Sequence, residues 1–152
     1  MTTQNEIENL LALTHGDLLK AMDCIERQLN VIYTRAQVLL SLAGMAVTVT
    51  GFSGRLIANT NAYAQFFIVL GLGIIISSVI YIFTKVTSIK WVTASITVSD
   101  PKGSLAVLIQ QRDIKTNAYM VGGRILCLGL VFYALAVAVM LFNPEPLTVA
   151  AR

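Results

Sequence analysis

FFIVLGLGIIISSVIYIF, Phe66 to Phe83, is a run of 18 almost purely apolar residues inside a longer stretch, Leu56 to Thr84, of 29 residues without Asp, Glu, Lys, Arg or His. A helix rises about 1.5 Å per residue, so about 20 such residues cross a hydrocarbon core about 30 Å thick. The stretch therefore predicts a transmembrane helix over about residues 63 to 84. Two more uncharged runs flank it: Ala36 to Gly54, with 19 residues, and Ile125 to Pro144, with 20. Each is long enough for a further span. Arg55 and Asn59-Thr60-Asn61 leave only a short turn between the first two spans, which makes them antiparallel neighbours. Pro144 and Pro146 end the third.

Composition agrees. Of 152 residues, 56% are hydrophobic and 12% charged, a balance foreign to soluble domains of this size. The expected fold is an all-α integral membrane protein, three transmembrane helices preceded by a long cytoplasmic amphipathic helix. Its parts are that helix (1 to 35), a transmembrane hairpin (36 to 84), a basic cytoplasmic segment (85 to 124), and the third span with an outer tail (125 to 152).

The basic residues set the orientation. Lys20, Arg27, Arg35, Lys85, Lys90, Lys102, Arg112, Lys115 and Arg124 lie on one side of the three spans, and Arg55 and Arg152 on the other. Nine against two places the N-terminus and the 85 to 124 segment in the cytoplasm. Because the cations flank apolar segments instead of clustering, nucleic acid is not an expected partner. The first thirty residues carry Glu6, Glu8, Asp17, Asp23 and Glu26, unlike a signal peptide, so the N-terminus is expected to belong to the mature structure.

Apolar residues recur at Ile7, Leu11, Leu18, Met22, Ile25, Leu29 and Ile32. From Leu18 the steps are four, three, four and three, the spacing of a coiled-coil seam. Thr3 with Glu6 offers a capping box, and Thr14-His15-Gly16-Asp17 offers a second, where the helix kinks or restarts. A seam with charges opposite needs a partner. Leu18, Met22, Ile25, Leu29 and Ile32 are accordingly expected to hold a homo-oligomer together, or to dock onto another membrane protein.

Within the spans, Ser41, Gly44, Thr48 and Gly51 recur at steps of three, four and three, and Gly71, Gly73 and Ser77 lie in the second span. Small residues let membrane helices approach closely, and their hydroxyls suit a pore lining if several copies assemble. No acidic or basic residue sits in the middle of any span, which argues against a proton relay or ion-coupled transport. Gly71-Leu72-Gly73 is not a phosphate loop, since no strand precedes it and no cation is near.

Between Lys85 and Gly103, Val86 to Val98 is rich in β-branched and aromatic residues, so a short strand and an interfacial segment anchored by Trp91 both fit. Asp100-Pro101-Lys102-Gly103 reads as a turn, with Ser104 as the cap of the next helix. Lys90, Trp91, Arg112, Lys115 and Arg124 are the expected contacts for anionic lipid or a cytoplasmic ligand. His15 is the sole histidine, and Cys24 and Cys127 have no neighbouring cysteine. No nucleophile, base or metal set can be assembled from these, so neither an enzyme nor a cofactor is expected.

A long N-terminal helix, Asn5 to Arg35, leading into a two-span hairpin, and a return through a basic helix ending RDIKTNAY (Arg112 to Tyr119), resemble the small bacterial membrane effectors of the SLATT and Pycsar type. The resemblance implies oligomerisation and permeabilisation of the inner membrane. Sequence thus offers two functions: a homo-oligomer that forms or gates a membrane pathway, or a non-catalytic accessory subunit of a larger membrane complex.

Overall fold

A computed structural model describes residues 3 to 58, 61 to 87 and 101 to 142. They form four helices: α1 (Thr3–Leu13), α2 (Leu18–Ala58), α3 (Ala62–Lys85) and α4 (Pro101–Phe142). Among the described residues 94% are helical and none is in a strand. Three helices, α2, α3 and α4, are long and apolar enough to cross a membrane. The strand or interfacial segment expected from Val86 to Val98 falls outside the described residues except for Val86 and Thr87. Those two close α3, their amides donating to the Ile82 carbonyl at 2.8 and 3.3 Å.

Two expectations about helix ends change. Thr14 does not cap α2; its hydroxyl reaches back to the Leu10 carbonyl at 2.9 Å. Asp17 is the cap, its Oδ1 accepting from the amides of Leu19 and Lys20 at 3.1 and 3.3 Å. Between them the Gly16 amide bonds to the Leu11 carbonyl at 2.8 Å and the His15 amide to that of Ala12 at 3.3 Å, the paired bonds of a Schellman ending. The left-handed position that such an ending demands is held by His15, at φ 53, with Gly16 following at φ 78. The second difference is at α4. Pro101 opens it, as proline is suited to do at a first helical position, so Pro101 to Gly103 is a first turn of helix and Ser104 lies buried within it.

The chain forms two compact units. The first comprises the described residues among 1 to 37 and 82 to 120. Its core is Ile7 of α1, Ala21, Ile25 and Leu29 of α2, and Leu105, Leu108 and Ile109 of α4, with Leu10, Leu11, Leu18, Met22 and Tyr33 packed around it. The second comprises the described residues among 38 to 81 and 121 to 152. It is centred on Ala43, Ile75 and Leu126, flanked by Leu39, Ala46, Val79 and Leu130.

Buried positions in the second unit keep a three-four spacing but change in size. On α3 they are Ala64, Ile68, Gly71, Ile75 and Ser78; on α4, Gly122, Leu126, Gly129 and Ala136. In lipid, apolar bulk gives little reason for helices to associate, because hydrocarbon is as good a neighbour as leucine. Close van der Waals contact through small residues takes over.

Candidate functional site

Three groups of side chains are candidates, and each is best judged by what it touches. The seam comes first. Ile25 and Leu29 are in the core of the first unit, and Leu18 and Met22 pack against it; Ile32 is half-buried. Their neighbours are α1 and the opening turns of α4 of the same chain. The partner that the amphipathic pattern demands is thus supplied internally, and the seam is not a free oligomer surface.

The basic string on α4 is the second group. Arg112 was expected to meet lipid or ligand, but only 17% of its side chain is exposed, and its charge is already engaged. Nη1 donates to Glu6 Oε1 at 2.6 Å and to Gln28 Oε1 at 3.0 Å; Nη2 donates to Glu6 Oε2 at 3.2 Å and to Asp113 Oδ1 at 2.6 Å. The two-pronged contact with Glu6 is the fork geometry that suits guanidinium and carboxylate, and it ties α1 to α4. Lys115 is buried, at 7% exposure. Its ammonium donates to the Tyr33 hydroxyl and stands 4.5 Å from that ring's centre. Arg112 and Lys115 therefore hold the first unit together. Arg124 is exposed, while Lys90 and Trp91 lie outside the described residues.

The small residues are the third group, and they divide. Gly71 is at a true close approach: a β-carbon placed on it would lie 2.9 Å from the Tyr133 nitrogen and 3.1 Å from the Gly129 carbonyl oxygen. Around Gly44, Gly51 and Gly73 the corresponding space is open. Ser41, Thr48 and Ser77 are also exposed, and Thr48 and Ser77 return their hydroxyls to the Gly44 and Gly73 carbonyls at 2.8 and 2.7 Å. Ser41, Gly44, Thr48 and Gly51 are alike in size but do not share the packed face, which on α2 is Leu39, Ala43, Ala46 and Thr50, two residues out of phase. Apart from Gly71, the expected packing residues point away from the helix contacts of their own unit.

Ser78, whose hydroxyl by sequence suits a pore lining as Ser77 does, packs inward instead, and Thr50, Phe67, Phe132 and Tyr133, which residue type alone does not mark, pack with it in the second unit. Ser78 is fully buried and donates to the Gly122 carbonyl at 2.7 Å, bonding α3 to α4. Phe67 stacks on Phe132 with ring centres 6.2 Å apart. The Thr50 hydroxyl donates to the Ala46 carbonyl at 2.7 Å, which leaves its oxygen to accept from the Tyr133 hydroxyl at 3.3 Å. The sequence carried a signal for this face: Gly122, Gly129 and Ala136 are spaced by seven, as are Ala64, Gly71 and Ser78.

Among the described residues no group of three His, Cys, Asp or Glu is placed to hold a metal ion. Cys24 is half-buried and Cys127 exposed, and both are free thiols. What the arrangement offers chemically is a packed three-helix contact in the second unit and, turned away from it, small and hydroxylated residues on α2 and on α3 with open space at their glycines. The chain matches no protein-family model, no curated protein and no solved structure.

Proposed function

We propose that the chain is a homo-oligomeric bacterial inner-membrane protein that assembles through its spans and forms or gates a membrane pathway, as a channel-like or membrane-perturbing effector. One observation carries this reading. Ser41, Gly44, Thr48 and Gly51 on α2 are exposed, as are Gly73 and Ser77 on α3, and among the described residues no neighbour lies within 4 Å of a β-carbon at any of the three glycines. Small residues on an apolar helix admit another helix at short range. Filling such a face with copies of the chain sets Thr48 and Ser77 hydroxyls at helix contacts or around a central path, where a water-filled lumen gives them a second partner.

Orientation in this reading follows the basic residues, with the N-terminus and the 85 to 124 segment cytoplasmic. The resemblance to SLATT and Pycsar effectors points the same way. A second reading rests on the same free face, since another membrane protein fits it as well as a second copy. The chain is then a non-catalytic accessory or scaffold subunit.

Mass in mild detergent, together with dye release from liposomes, separates the two. A discrete multimer that leaks dye supports the pathway. A monomer that leaves liposomes sealed rejects it in favour of the accessory subunit. Gly44→Leu with Gly51→Leu should shift the multimer toward monomer without lowering the melting temperature of the chain.

A further inference from the structure

Arg124 stands at the head of the third uncharged run, where the sequence counts it as a flank of the membrane. The packing of the second unit puts it deeper. Leu39 of α2 lies 3.6 Å from a β-carbon placed on Gly123 of α4, and Thr50 meets Tyr133 at 3.3 Å, so these two helices run side by side in the same direction. α3 runs against them, with Ser78 on Gly122 and Ile75 on Gly129. Arg124 is therefore level with Leu40 and Ser41 of α2 and with Ser77 of α3. The uncharged run of α2 opens at Ala36 and that of α3 closes at Thr84. Counted along either helix, Arg124 is about 6 to 10 Å inside the end of the run.

Arg124 is exposed on α4, and among the described residues nothing bonds or pairs with it. A charge within a span almost always turns to a bundle interior or a water-filled cavity, because hydrocarbon neither solvates nor pairs it. Its own unit offers Arg124 no such place. Lipid leaves it only a bent reach back to the headgroups, whereas a wet path between copies hydrates it where it stands.

Copies that share one orientation and turn about an axis normal to the membrane keep each residue at its depth. Arg124 of every copy thus falls in one layer, together with the exposed Ser41 and Ser77. The charge of that layer has a single sign, since the sequence holds no Asp or Glu from Ala36 to Thr84 or from Thr116 to Phe142. We propose that Arg124 lines the path between copies and makes it selective for small inorganic anions such as chloride. This rests on the reading that the chain self-assembles into a membrane pathway, and it adds the class of solute carried.

The test is the reversal potential of the full chain in planar bilayers of neutral lipid under a potassium chloride gradient. A path lined by one sign of charge between low-dielectric walls concentrates counter-ions, so the parent should pass chloride over potassium by about tenfold. Arg124→Gln should bring the two ions close to parity, and Arg124→Lys should keep the preference. A parent that conducts both ions equally overturns the inference before any variant is made, and leaves the pathway standing. An Arg124→Gln chain with the parental ratio also overturns it, and puts Arg124 against lipid. So does an Arg124→Lys chain that falls with Arg124→Gln, because charge is then not the cause. A parent that carries no current overturns the pathway as well.

Discussion

Gly71 and Gly129 face each other across the α3–α4 contact, so close that a β-carbon on either would lie 3.1 Å from the other's carbonyl oxygen. The crowding is against backbone, which has nowhere to rotate. Ile75 adds to it, its nitrogen 3.0 Å from a β-carbon on Gly129.

Adding a methyl group at either position must therefore push the helices apart. Gly71→Ala or Gly129→Ala should cost about 1 to 3 kcal/mol by overpacking, and leucine more. Gly73→Ala, two residues from Gly71 with nothing within 4 Å of its β-carbon position, should be neutral. Melting in detergent is the measurement. If Gly71→Ala and Gly73→Ala melt together at the parental temperature, the α3–α4 contact is wrong.

Why the sequence announces one glycine and hides the other has a physical answer. Spans are legible because uninterrupted apolarity over about 20 residues is itself the requirement for crossing lipid. Which face of a span is buried is not, because both faces are apolar and the polar-apolar contrast that marked Ile25 and Leu29 has gone. The signal that survives is spacing alone. The three-four steps that end at Ile32 continue through Ala36, Leu39, Ala43, Ala46 and Thr50, and following them names the packed face of α2 that selecting Ser and Gly by size misses. Arg112 poses a different difficulty: its partner Glu6 is 106 residues away. A cation preceding an apolar run reads as a membrane flank whether or not a carboxylate reaches it.

The core of the first unit makes a simpler prediction. Ile25 and Leu108 are each 2% exposed and belong to one cluster. Removing either side chain leaves a cavity among α1, α2 and α4, and Ile25→Ala or Leu108→Ala should cost about 2 to 5 kcal/mol. Leu19, with 78% of its surface exposed, is the control, and Leu19→Ala should cost little. Equal losses at all three positions would mean that the seam is not filled from within.

Acid should loosen the start of α2. Bonds from the Lys20 side chain, and then from the Lys20 amide, hold the Asp17 carboxyl below its ordinary value of 3.8. Because the folded value is the lower one, the contribution is complete above the unfolded value and is lost as pH falls through the folded one, in the window below about pH 4. Asp17→Asn keeps a capping oxygen without the titration. Between pH 5 and pH 2 the parent should therefore lose more thermal stability than the variant. Parallel losses would mean that Asp17 titrates as it does in the unfolded chain.

Orientation is open to chemical labelling. Lys102 is exposed near the start of α4, and Ala62 is exposed at the start of α3. If the positive-inside count governs insertion, these two positions lie on opposite sides of the membrane, with Ala62 outside. The native thiols complicate the measurement, since Cys127 is exposed and Cys24 half-buried. Single cysteines at Ala62 or Lys102 should therefore be read in a Cys24→Ala, Cys127→Ala chain. A membrane-impermeant maleimide applied to intact cells should modify the thiol at 62 and spare the one at 102 until the cells are opened. The opposite pattern reverses the topology, and labelling of both in intact cells would mean that α3 does not cross.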